Sequence, residues 1–106
     1  MKKILFFMAL FALLIQTDKI LAATRYVPAD YTHIQDAIDA SSSGDIILVS
    51  SGYYAEHLTL KSGVDVIGES PTNTYLSGGL SGSVVTAINV TDAEFSGFWI
   101  YLQRLG

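Results

Sequence analysis

The amino-acid sequence predicts a mainly β chain coiled as a solenoid behind a secretory leader, and three observations carry that prediction. Short apolar or β-branched runs follow one another beyond Gly44, each bounded by glycine or serine, which is the pattern of strands separated by turns. One stretch echoes another: Val64-Asp65-Val66-Ile67-Gly68-Glu69 lies over Ala93-Glu94-Phe95-Ser96-Gly97-Phe98 with acid on acid, apolar on apolar and glycine on glycine, as successive units of a repeat would. The stretch from Met1 to Ala23 has the charged, apolar and small-residue order of an export signal.

The leader comes first in the chain. Lys2 and Lys3 form a positive n-region, and Ile4 to Ile15 is an unbroken apolar run that falls short of the about 20 residues a membrane-spanning helix needs. Ile20-Leu21-Ala22-Ala23 then offers small residues at a cleavage point before Thr24. Residues 1–23 are therefore expected to be a signal peptide, and 24–106 the exported part, secreted to a periplasm, the medium or a cell surface. No cysteine follows the apolar run, so a lipid anchor is not expected, nor is stable membrane insertion after cleavage. From Thr24 onward three cations face nine carboxylates, a formal charge of −6. That balance argues against nucleic acid or anionic lipid as a partner. Without disulfides, stability must come from burial and backbone pairing.

Helix signals occur once in the exported part. Thr32-His33-Ile34-Gln35 has the spacing of a capping box, in which the Thr32 hydroxyl accepts from the Gln35 amide and the Gln35 side chain returns a bond to Thr32. Ile34, Ala37 and Ile38 then recur on one face, with Gln35, Asp36 and Asp39 towards water. The run Ser41-Ser42-Ser43 ends the helix, and Gly44 can take the left-handed conformation that closes one. The strands expected beyond it are 46–49, 57–60, 64–67, 84–88 and 94–96. Without alternating helices, these runs form either an antiparallel sandwich or a coiled solenoid. The echo favours the solenoid, with Val66 stacked under Phe95 inside and Asp65 beside Glu94 outside, since alternate strand residues face opposite ways.

Three segments carry a family resemblance: Tyr26-Val27-Pro28-Ala29-Asp30-Tyr31-Thr32-His33-Ile34-Gln35-Asp36-Ala37-Ile38-Asp39-Ala40, Gly44-Asp45-Ile46-Ile47-Leu48-Val49 and Gly52-Tyr53-Tyr54-Ala55-Glu56. Together they resemble the N-terminal part of right-handed parallel β-helix proteins of the pectin-lyase-like superfamily, nearest to pectinesterase-like and general β-helix repeat members. The resemblance implies a capping helix over the N-terminal end and the first two to three coils of a solenoid that is incomplete as it stands. It also implies either an enzyme parent that processes polysaccharide or a non-enzymatic, adhesin-like surface rod that binds glycans. The catalytic signatures of that superfamily are missing from this sequence, so no catalytic residue carries over and the chain alone is expected to be inactive.

Few residues invite site chemistry. Asp65 and Glu94 on adjacent coils would stand about 4.8 Å apart and are the candidate calcium ligands, although two carboxylates fall short of the about six to eight oxygens Ca²⁺ takes. No other cofactor is expected. Glu56 is read as a structural acceptor for backbone amides. His33 sits at the helix start, and His57, next to Glu56 in sequence, points to the opposite face of an extended strand. Tyr53 and Tyr54 read as a turn pair, one packed under the capping helix, with sugar stacking as the functional alternative. Asp36 and Asp39 read as solvated charge, Gly78-Gly79-Leu80-Ser81-Gly82 as a corner, and Asn89-Val90-Thr91 as a formal glycosylation sequon. Phe95, Phe98, Trp99 and Tyr101 are expected to crowd the open C-terminal edge, making self-association a further expectation.

Overall fold

The computed structural model describes residues 21–80 and 82–102, and within them the chain is a parallel β-solenoid of about 4 turns. The leader expected over residues 1–23 lies almost entirely outside that range. The elements, in chain order, are β1 (Thr24–Val27), α1 (Ile34–Ala40), β2 (Ile46–Val49), β3 (Gly52–Ala55), β4 (Leu58–Thr59), β5 (Asp65–Gly68), β6 (Thr74–Ser77), β7 (Val85–Thr86), β8 (Phe95–Ser96) and β9 (Trp99–Tyr101). Strands from successive coils pair in parallel to build three sheets: β1-β2-β5-β8, β3-β6-β9 and β4-β7. Among the described residues no helix is long and apolar enough to cross a membrane.

The predicted echo is a true rung. Val66 pairs with Phe95 and Ile67 with Ser96, and Asp65 and Glu94 are linked 29 residues apart in sequence. Glycine is required where the echo places it, because Gly68 and Gly97 lie back to back and a Cβ on either would collide with the other's carbonyl. Alternation then decides what is buried. Val27, Val49 and Val66 point inward with Ile47, Leu58 and Leu76, and Tyr54 joins them. Outward-facing positions of the first sheet include Tyr26 and Leu48, both exposed.

Four strands go beyond the predicted set. The segment 52–55 is a strand rather than a turn, and β1, β6 and β9 complete the two larger sheets. Each is only three or four residues long, and their pairing to a neighbouring coil supplies what their local pattern lacks.

The helix differs from expectation at its start, whereas the serine run ends it as expected. It begins at Ile34 with His33 as its N-cap, and no side chain caps it from the flanking residues. The capping box predicted on Thr32 and Gln35 does not form, because the Glu56 carboxylate from the next coil takes the amides of Ile34 at 2.9 Å and Gln35 at 3.1 Å. A charged acceptor aimed at a helix N-terminus outcompetes a neutral hydroxyl there. The freed Gln35 side chain turns to β4, accepting from the Thr59 amide at 2.8 Å and donating to the Thr59 carbonyl at 3.3 Å. At the other end Ser41 closes the helix, its amide donating to Ile38 and its hydroxyl to Ala37. Gly44 is left-handed, but it serves the Ser42–Asp45 turn beyond the helix.

Asp45 fixes that turn. Its carboxylate accepts from the amides of Ala23 at 2.8 Å and Ser42 at 2.9 Å and pairs with the Arg25 guanidinium. The Ser42 amide, then the Ala23 amide, then Arg25 hold the Asp45 carboxyl below the usual carboxylate range. A carboxyl whose pKa is lower folded than unfolded stabilises the fold at pH values above its unfolded pKa of about 3.9, and loses that contribution as pH falls through its folded value. Thermal melts should therefore show the wild type losing stability below about pH 4 more steeply than Asp45→Asn, with the variant already weaker at neutral pH.

Ile34, Ala37 and Ile38 are buried where α1 packs on β1, β2 and β4, and Asp39 is exposed. Ile38→Asp would set an unpaired charge in that core and should cost several kcal/mol, on the order of 3 or more. Asp39→Lys should cost less than about 1 kcal/mol. Urea unfolding of the two variants checks the difference.

Candidate functional site

The second sheet carries the site. In β3, Tyr54 turns inward, its hydroxyl donating to the Ser50 carbonyl at 2.8 Å, so Tyr53 and Ala55 face out. Burial, with the nearby Glu56 and Glu69 charges, pushes the Tyr54 phenol up. Register then places Tyr53 beside Tyr75 and Tyr75 beside Trp99, with Ala55, Ser77 and Tyr101 on the adjacent outward row. The small side chains of Ala55 and Ser77 leave room for Tyr101 to lean across to Tyr53. The two rings meet edge to face, with centroids 6.1 Å apart at 60°, a favourable arrangement for aromatic pairs.

The result is a shallow groove of about 520 Å³ lined by Tyr53, Tyr75, Trp99 and Tyr101. Tyr53 and Trp99 are 60% and 56% exposed, large values for side chains of that apolar area. The Tyr75 hydroxyl donates to the Thr72 carbonyl at 2.7 Å, which anchors its ring and leaves its oxygen able to accept. Hydrogen bonding from Tyr101, then from Ser77, draws the Tyr53 hydroxyl below the usual tyrosine range, and its bond to Tyr53 raises Tyr101. The lining offers ring faces and phenol oxygens, with no ionised group.

Other residues singled out from sequence fall elsewhere. Asp65 and Glu94 lie on the first sheet, where the Glu94 amide donates to Asp65 Oδ1 at 2.9 Å and the Ser96 hydroxyl reaches Glu94 Oε1 at 3.4 Å. One Asp65 oxygen is thus already used by backbone, and no group of three acid, histidine or cysteine side chains with metal-binding spacing occurs among the described residues. Glu56 has both oxygens occupied by the α1 amides, with exposed His33 Nδ1 at 3.9 Å. His57 diverges from it, its Nδ1 lying 2.8 Å from the Ser83 carbonyl. Asp36 is exposed, and Asp39 accepts from the Gln35 side chain. Gly79 and Gly82 have the positive φ of a corner, and Asn89 is exposed with φ 55°.

Sequence reasoning held Tyr53 as a possible stacking residue and missed its partners. Tyr53 to Tyr75, Tyr75 to Trp99 and Val66 to Phe95 are three unequal steps, so no fixed period aligns the aromatics. The available signal was alternation in Thr74-Tyr75-Leu76-Ser77 and Trp99-Ile100-Tyr101, each with aromatic and apolar residues on opposite faces. No protein-family model, curated protein or solved structure matches the chain, so its own geometry carries the functional reading.

The contrast between Glu56 and Thr32 is testable. Glu56→Ala should destabilise the protein by about 2–3 kcal/mol, because two charge-assisted bonds to helix amides are lost. Thr32→Ala should stay within about 0.5 kcal/mol of wild type, since Thr32 provides no cap. Denaturant midpoints of the two variants measure this.

Proposed function

We propose that this chain is the N-terminal portion of a secreted right-handed parallel β-helix protein of the pectin-lyase-like superfamily, and that this portion binds polysaccharide without turning it over. The observation that carries the binding is the in-register column Tyr53, Tyr75 and Trp99 with Tyr101 leaning on it. Aromatic rings present an electron-rich face that suits the C–H face of a pyranose, and phenol oxygens at the rim suit its hydroxyls. The superfamily assignment is supported by the three resembling segments and the parallel coil architecture.

Export is supported by the order of Met1 to Ala23 and by where the coils begin. The expected cut after Ala23 falls just before β1 and leaves every strand pairing intact, at the loss of the two bonds that Ala23 makes, its amide to Asp45 and its carbonyl from Ile46. A glycan-binding surface rod accounts for the aromatic face directly. The enzymatic reading of a longer parent rests on the resemblance, and its catalytic groups would stand on coils other than these.

The test is to recover the exported protein, check its mass for loss of the leader, and run affinity electrophoresis through gels containing soluble polysaccharides. Retardation is expected, without release of reducing ends, unsaturated products or methanol. A Tyr53→Ala, Trp99→Ala double variant should lose the retardation. Turnover, or undiminished retardation of the double variant, would refute the proposal.

A further inference from the structure

We infer, resting on the glycan-binding reading above, that the ligand is an uncharged polysaccharide lying along the stacking direction of the coils, and not an acidic one. Direction follows from the rungs. Tyr53, Tyr75 and Trp99 sit on three adjacent strands spaced about 4.8 Å apart, so the aromatic row runs perpendicular to the strands. An elongated chain touches all of them only by running the same way.

Charge decides the class of sugar. A polyuronate carries repeated carboxylates and is held by cations, best by a guanidinium fork. The groove lining contains none. Arg25 belongs to the first sheet and is paired with Asp45. Lys61 donates to the carbonyls of Ser41 at 2.7 Å and Asp39 at 3.3 Å, at the C-terminal end of α1. Arg104 lies outside the described residues. With nine acids in the exported part, the surrounding field repels a polyanion.

Calcium does not reverse this. Asp65 and Glu94, the candidate cation ligands, are on the β1-β2-β5-β8 sheet, whereas the aromatic groove is on β3-β6-β9. A cation between those acids would not bridge uronates to the rings. What the groove does offer is matched to neutral sugar: aromatic faces, the Tyr75 oxygen as acceptor, and the Tyr53 and Tyr101 hydroxyls.

The experiment titrates the exported protein, by calorimetry and tryptophan fluorescence, with cellohexaose and with hexagalacturonate, each at low and high salt and with and without Ca²⁺. The expected result is binding of cellohexaose that is insensitive to salt and Ca²⁺, a blue-shifted Trp99 emission, and no binding of hexagalacturonate. Trp99→Ala should weaken cellohexaose binding about five- to tenfold. Tyr26→Ala, on the outer face of the first sheet, should leave it unchanged, with circular dichroism establishing that both variants fold. Preference for hexagalacturonate, or binding that requires Ca²⁺, would overturn the neutral class while leaving glycan binding in place. Failure of both sugars would overturn the two readings together, as would dimerisation abolished by Trp99→Ala, which would give the face to a second copy.

Discussion

Parallel pairing between equivalent strands of successive coils is the constraint on which the rest of this structure depends. Each strand is two to four residues long, too short to be stable without partners, and its partners always belong to another coil. Side chains therefore align in columns along the stack. The inward columns are apolar at most rungs, as Val27, Val49 and Gly68 or Tyr54 and Leu76 are, and buried Thr74 is tolerated because its hydroxyl accepts from the Ser70 amide. An outward column is free to vary, and chemistry can be placed there without disturbing the core.

Where α1 stands in chain order, between β1 and β2, the later coils have strands instead. The backbone groups of β4 on that side need other partners, since an unpaired edge is a liability. Gln35 meets this need by bonding both the amide and the carbonyl of Thr59. Glu56 holds the start of the same helix, and Lys61 reaches the Asp39 and Ser41 carbonyls at its C-terminal end. The helix is thus fastened to the coil by residues that come after it in sequence, and its polar contacts do as much to position it as the burial of Ile34 and Ile38.

The aromatic groove follows from the same column rule. Alternation sends Tyr53 out and Tyr54 in, so two adjacent tyrosines acquire opposite roles: one an exposed ring, the other a buried phenol tied to Ser50. Ser77 is a small residue in an outward row, and it is covered because Tyr101 leans over that row toward Tyr53. Ring faces and hydroxyls then lie together on one surface, while the carboxylates that fix turns and helix ends, Asp45 and Glu56, are occupied by backbone donors.

The sequence by itself determined the class of fold, the helix of the described residues with its buried face, and the Val66–Phe95 rung with its stacked glycines. Each of these is a local pattern or an internal repeat, so hydrophobic periodicity and the steric demand of glycine reveal them without coordinates. Only the tertiary structure decided what caps the helix, because Thr32 is the nearest acceptor in sequence and Glu56 the better placed one in space. It alone assembled the aromatic row, because the coils differ in length and the residues that meet across strands share no constant spacing. Separating Asp65 and Glu94 from that row was also a tertiary decision, since a residue's sheet depends on its position within the coil and not on its distance along the chain.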